Sequence, residues 1–198
     1  MKFRKNLSIM LLFCVLHVCN ACSQSVLPVP DYPLELDSVQ EALAQTDFPF
    51  TVTELPKSRF PTDNPYQKAY ELRLEDETLA ASLSCIGGED GGSRYLSIGF
   101  PGSFFSSSEE IPYEADVWKD ALAWAAMLYG GFHSTTDVYD AFAETFETQT
   151  VTSEDDERIH GKWEGCVNDI HCTISYIQKK SSQETVLRSV AFKSDYRE

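Results

Sequence analysis

The chain has 198 residues, with 31 acidic against 16 basic side chains and a net charge of −15. So negative a surface is repelled by phosphate backbones and by anionic lipid headgroups, which argues against nucleic acid as a partner. Aromatic residues make up 12% of the chain and apolar residues are spread along it, so the body is globular and not disordered.

The N-terminus reads as an export signal over residues 1–21. Lys2, Arg4 and Lys5 form a basic start, Leu7 to Val18 (LSIMLLFCVLHV) an apolar core, and small residues follow at Ala21 and Ser23. A helix needs about 20 apolar residues to cross a bilayer, more than this core supplies. The run Val18-Cys19-Asn20-Ala21-Cys22 resembles a bacterial lipobox, although Cys19 and Asn20 depart from the usual pattern. The resemblance implies that Cys22 carries diacylglycerol, becomes the mature N-terminus and anchors the protein on the outer face of the cell membrane. Ordinary cleavage near Ala21 or Ser23, giving a secreted protein, is the alternative. Removing the leader takes the charge from −15 to −18, because it deletes three bases and no acid.

Residues 22–34 include the proline-rich SQSVLPVPDYP, read as an extended tether. Beyond it the chain contains one unit twice, at 35–101 and 134–198. Residues 37–53 (DSVQEALAQTDFPFTVT) align without gaps on 136–152 (TDVYDAFAETFETQTVT), with seven identities. Residues 79–86 parallel 170–177, and 95–100 parallel 187–192. The offset falls from 99 to 91 and 92, and the excess in the first copy lies in the proline-rich LPKSRFPTDNPYQK, where a loop belongs.

Each copy reads as a helix and four strands. Asp37 with Gln40, and Ser134 with Asp137, mark helix starts, the first pair at capping-box spacing. Pro49 is expected to end the first helix, and the first strands are Phe50–Leu55 and Gln149–Ser153. Between the copies, in a connecting segment at 102–133, Glu114–Tyr129 reads as a buried helix closed by Gly130-Gly131.

Asn168-Asp169 reads as a two-residue hairpin turn. Its register puts Trp163, Val167, Ile170, Cys172, Ile174 and Tyr176 on one face, with Cys166 and His171 on the other. Three cysteines remain after the leader and Cys22. Cys166 and Cys172 face opposite ways, so Cys85–Cys172 is the preferred disulfide, with three reduced thiols as the alternative.

No catalytic or cofactor motif stands out, and no cofactor is expected. His160, Cys166, His171 and Cys172 lack metal-ligand spacing, so no metal site is expected. Gly87–Gly92 and Glu154–Glu157 read as a hairpin turn and a solvated loop. What remains is a polar, hydroxyl-rich strand face carrying Glu71, Arg73, Ser82, Ser84, Ser97, Lys162, Glu164, Thr173, Ser175 and Ser189.

The expected fold is therefore α+β: tandem helix-plus-four-strand repeats forming antiparallel sheet, with helices on one face. This plan resembles, in outline, the beta-lactamase inhibitor proteins, whose tandem units present a curved sheet to a target enzyme; the resemblance implies geometry and not inhibition. The run Trp124–Phe132 (WAAMLYGGF) resembles uncharacterised lipoproteins of clostridia-like bacteria and adds no function. The expected function is a membrane-anchored, non-enzymatic binding module for an envelope protein or polymer. The alternatives are an envelope hydrolase using carboxylates that the sequence does not single out, and an accessory subunit of an envelope complex.

Overall fold

A computed structural model describes residues 26–60, 62–75, 77, 79–89, 93–100, 116–145, 150–183 and 185–194. The leader, Cys22, residues 23–25 of the tether, residues 102–115 of the connecting segment, Gln149 and the tip of the Gly87–Gly92 loop lie outside them. So do the side chains of Val117 and Trp118 in the connecting helix.

In chain order the elements are α1 (Leu36–Leu43), β1 (Thr51–Glu54), β2 (Gln67–Arg73), β3 (Leu79–Gly87), β4 (Arg94–Gly99), α2 (Asp116–Tyr129), α3 (Asp137–Thr145), β5 (Thr150–Glu154), β6 (Arg158–Val167), β7 (Ile170–Lys179) and β8 (Thr185–Lys193). The strands form one antiparallel eight-stranded sheet in the order β1-β2-β3-β4-β8-β7-β6-β5. With three helices among the described residues, the architecture is mixed α+β. No described helix is long and apolar enough to cross a membrane.

Alternation along the strands builds the core. One row crosses six strands as Tyr70, Leu83, Ile98, Val190, Ile174 and Trp163, each opposite the next, and all are buried. Helix residues Val39, Ala121, Leu122, Trp124, Leu128, Val138 and Phe142 join the same apolar cluster. α2 lies against both β4 and β8, α1 against β1 and α3 against β6. The expected turn at Asn168-Asp169 is present, both residues having positive φ, and the expected inward set from Trp163 to Tyr176 follows from its register.

Several local expectations are corrected. Glu35, not Asp37, is the N-cap of α1, and no side chain caps it; Asp37 sits in the first turn, where a negative charge favours the helix dipole. The helix stops well before Pro49. The Thr46 hydroxyl donates to the Leu43 carbonyl at 2.8 Å and accepts from the Phe48 N–H, so the end is satisfied by a side chain. α2 does end at glycine, with Gly130 at φ +72° and its N–H bonded to the Ala126 carbonyl at 2.9 Å.

The described part of the tether is docked on the body. The Leu27 N–H donates to the Phe132 carbonyl at 2.7 Å, and the Leu27 carbonyl accepts from Gly131 at 2.9 Å. Tyr32 Oη donates to the Leu128 carbonyl at 3.0 Å, and Leu34 is fully buried. Gly87 permits this approach, since a Cβ there would lie 2.5 Å from the Tyr32 carbonyl oxygen. Prolines stiffen the segment, but Leu34 is in the core and Leu27 and Tyr32 lie against it, so it packs, with Val26 and Val29 left exposed.

Candidate functional site

The strand register gathers the polar face foreseen in the sequence. On the side of the strands opposite the buried set, one row runs Glu71–Ser82–Gly99–Ser189–Ser175–Lys162. The next row runs Ala69–Ser84–Ser97–Ala191–Thr173–Glu164. Ser82, Ser84, Ser97, Lys162, Glu164, Thr173 and Ser175 are thus contiguous across five strands.

The centre of this patch is made only of small side chains, on β3, β4, β8 and β7. Adjacent strands lie about 4.8 Å apart, so the small-residue block spans roughly 15 Å. Gly99 is open at its middle, where an added Cβ would meet nothing within 4 Å. Ion pairs close the two ends. Arg73 bonds Glu71 at 2.7 Å and also reaches the Glu77 carbonyl, with Arg59 at 3.6 Å from the same carboxylate. Lys162 meets Glu164 at 2.9 Å at the other end. Arg73 sits beyond the first row, opposite Thr51, at a bulge that follows Leu72. Paired charges and small hydroxyls offer hydrogen-bonding area, and the Thr173 hydroxyl lies 3.4 Å from His171 Nε2 on the same face.

The preferred disulfide is not formed. Cys85, Cys166 and Cys172 are free thiols, and Cys85 and Cys172 are both fully buried. The register Cys85–Leu96–Phe192–Cys172 separates them by three strand spacings. That is about 14 Å, whereas a disulfide needs Cα atoms within about 7 Å. The two cysteines do face the same core, as expected, but from strands on either side of the β4–β8 seam. Burial pushes the Cys85 thiol up to about 11, against weaker opposing hydrogen bonds from backbone. Burial raises Cys172 to about 12. Cys166 is exposed, opposite His171.

Among the described residues no three His, Cys, Asp or Glu side chains come together as a metal site. The carboxyl groups with displaced titration are both lowered. Partial burial works against ionisation of Asp137, but bonds from the Ser134 hydroxyl, the His133 N–H and Asn168 outweigh it. Asp155 is lowered by the Glu157 and Arg158 N–H groups, in the turn from β5 to β6. Neither suits a proton-donating acid, which needs its proton retained near neutral pH.

The sequence did not foresee the concavities around Phe48. One cavity of about 430 Å³ lies between α1 and β1, lined by Leu43, Phe48, Phe50 and Val52. A second, of about 550 Å³, lies between the α1–β1 link and α2. Phe48 stacks on Phe50 with centroids 5.1 Å apart and meets Trp124 edge-on at 6.4 Å. The signal was the paired aromatics of Asp47-Phe48-Pro49-Phe50 after a helix that ends early. The chain matches no protein-family profile, no curated protein and no solved structure.

Proposed function

We propose that this protein is an exported, lipid-anchored and non-enzymatic binding module, which presents its polar sheet face to an envelope protein or polymer. In this reading two tandem helix-plus-four-strand repeats pair edge to edge, the helices cover one face, and the other is the docking platform. The observation that carries it is the two adjacent rows of small, mostly hydroxyl-bearing residues centred on Ser97 and Ser189, bounded by paired charges.

The strand order supports the duplication, since it reads the same from either edge when repeats are exchanged. The repeated blocks 79–86 and 170–177 supply corresponding strands on either side of the seam. The agreement weakens outward. Tyr70 and Trp163 occupy matching places, which would put Thr150 opposite Cys166 as Thr51 is opposite Arg73. Thr150 pairs with Lys162 instead, four residues along. An even slip keeps the same side chains inward, so a repeat tolerates it.

Export and anchoring rest on the leader and Cys22. With residues from Leu27 docked, five residue steps link Cys22 to the body, about 18 Å at full extension. The anchored domain stands close to the membrane, held by acyl chains and not by charge. Mass spectrometry of the mature N-terminus tests this: the expected product is an acylated Cys22, and an unmodified start at Cys22 or beyond removes the anchor. Turnover of any envelope polymer by the purified chain would favour the hydrolase reading.

A further inference from the structure

The cavity between the α1–β1 link and α2 has a chemistry of its own, separate from the sheet face. Its volume, about 550 Å³, falls within the range of small-molecule sites. Phe48, Trp124, Met127 and Ala123 give it apolar walls. Asp47 and Asp120 stand exposed at its rim, and among the described residues no Lys or Arg lines it.

Trp124 supplies a second and independent observation. Its side chain is 1% exposed, yet the indole Nε1–H has no hydrogen-bond partner among the described residues. Buried donors are almost always satisfied, so this N–H is in want of an acceptor, and it belongs to a residue that lines the cavity. Phe48, half-buried and edge-on to the indole, belongs to a link with neither helix nor strand. An acceptor that reaches the N–H from the cavity must therefore displace the Phe48 ring or pass beside it.

We propose that this cavity binds a small organic cation with an apolar body and one hydrogen-bond acceptor. The body packs between Phe48 and Trp124, where a cation also gains from the ring faces. The acceptor takes the indole proton, and the positive group is drawn to Asp47 and Asp120. Anions are disfavoured by the same two carboxylates.

Three matched probes test this on the full chain by calorimetry: 4-methoxybenzylamine, 4-methoxybenzyl alcohol and 4-methoxybenzoate. The amine is expected to bind about three- to ten-fold more tightly than the alcohol, and the benzoate more weakly than the alcohol by a similar factor, as exposed charges permit. The Asp47→Asn/Asp120→Asn double variant, altered only at exposed positions, is expected to bind amine and alcohol alike. In proton–nitrogen spectra the indole signal absent from Trp124→Phe should move downfield with 4-methoxybenzylamine and not with 4-ethylbenzylamine, which lacks the ether oxygen. No binding of the amine, equal binding of all three probes, or binding without movement of that signal would overturn the proposal.

Discussion

Ile98 and Val190 lie directly opposite one another across the β4–β8 seam, and they are also the residues that the proposed repeat would superpose. A two-fold relation between repeats, as proposed above, would require this, since at an axis a residue must face its own counterpart. Leu83 and Ile174 flank them and would be counterparts in the same proposed repeat, and the row ends in Tyr70 and Trp163.

Because Ile98 is fully buried in that row, Ile98→Ala should lower stability by about 2–5 kcal/mol in urea unfolding. The same measurement on Ile98→Ala/Val190→Ala should reveal a coupling of about 0.5–3 kcal/mol, as touching residues show. Val151→Ala, at an edge strand and 53% exposed, should stay within about 0.5 kcal/mol. Independent, additive effects at Ile98 and Val190 would mean that the seam does not join the halves tightly.

The thiols are expected to differ in reactivity. Alkylation of the folded chain at neutral pH should modify Cys166 and spare Cys85 and Cys172, which react only on unfolding. Non-reducing peptide mapping should find no Cys85–Cys172 link. Their raised folded values mean that the folded state favours the neutral thiol. That contribution is complete below the ordinary value of about 8.5 and declines as the unfolded chain ionises above it.

Asp137 ties the start of α3 to the β6–β7 turn, accepting from Asn168 Nδ2 at 3.0 Å and from the His133 N–H at 2.8 Å. Asp137→Ala should cost about 1 kcal/mol, in the range of lost helix-start bonds. The folded carboxyl titrates below the usual value, so its contribution is present above about pH 3.9 and is lost as the pH falls through the folded value. Acid unfolding of wild type and variant should therefore converge at low pH.

Docking of the N-terminal segment predicts sensitivity at Gly130, whose φ of +72° disfavours any side chain and where an added Cβ would clash with the Pro28 carbonyl oxygen. Gly130→Ala should expose the 26–34 segment to proteolysis while the sheet resists. Equal protease resistance in the variant would place the segment's hold elsewhere.

The hydrophobic periods and the turn chemistry made much of this fold legible. Asn168-Asp169 fixed a hairpin register, and with it the inward set from Trp163 to Tyr176, though not the burial of Ile177 beyond the bulge at Ser175/Tyr176. Gly130-Gly131 marked the end of α2. Local signals failed where a tertiary partner decided the outcome. Thr46 ended α1 with a hydroxyl, ahead of the nearer-looking stop at Pro49. The apolar Leu27 and Leu34 drew a proline-rich segment onto the body. Cys85 and Cys172 were assigned to the right face, but their separation depended on strand order, which alternation along a strand does not contain. The polar platform was foreseen for the opposite reason, since face assignment alone was enough. The cavity beside Trp124 was not, because it arises where an irregular link crosses a helix.

The binding claim is tested most directly at Ser97, which sits at the centre of the platform with its side chain away from the core. Wild type and Ser97→Arg, matched for thermal stability, would be used to capture partners from native envelope extract, with quantitative mass spectrometry. The account predicts a saturable partner retained by wild type and depleted at least ten-fold by the arginine, which fills the small-residue patch at little cost to the fold. Equal retention by both proteins, or no specific partner of wild type, would contradict it.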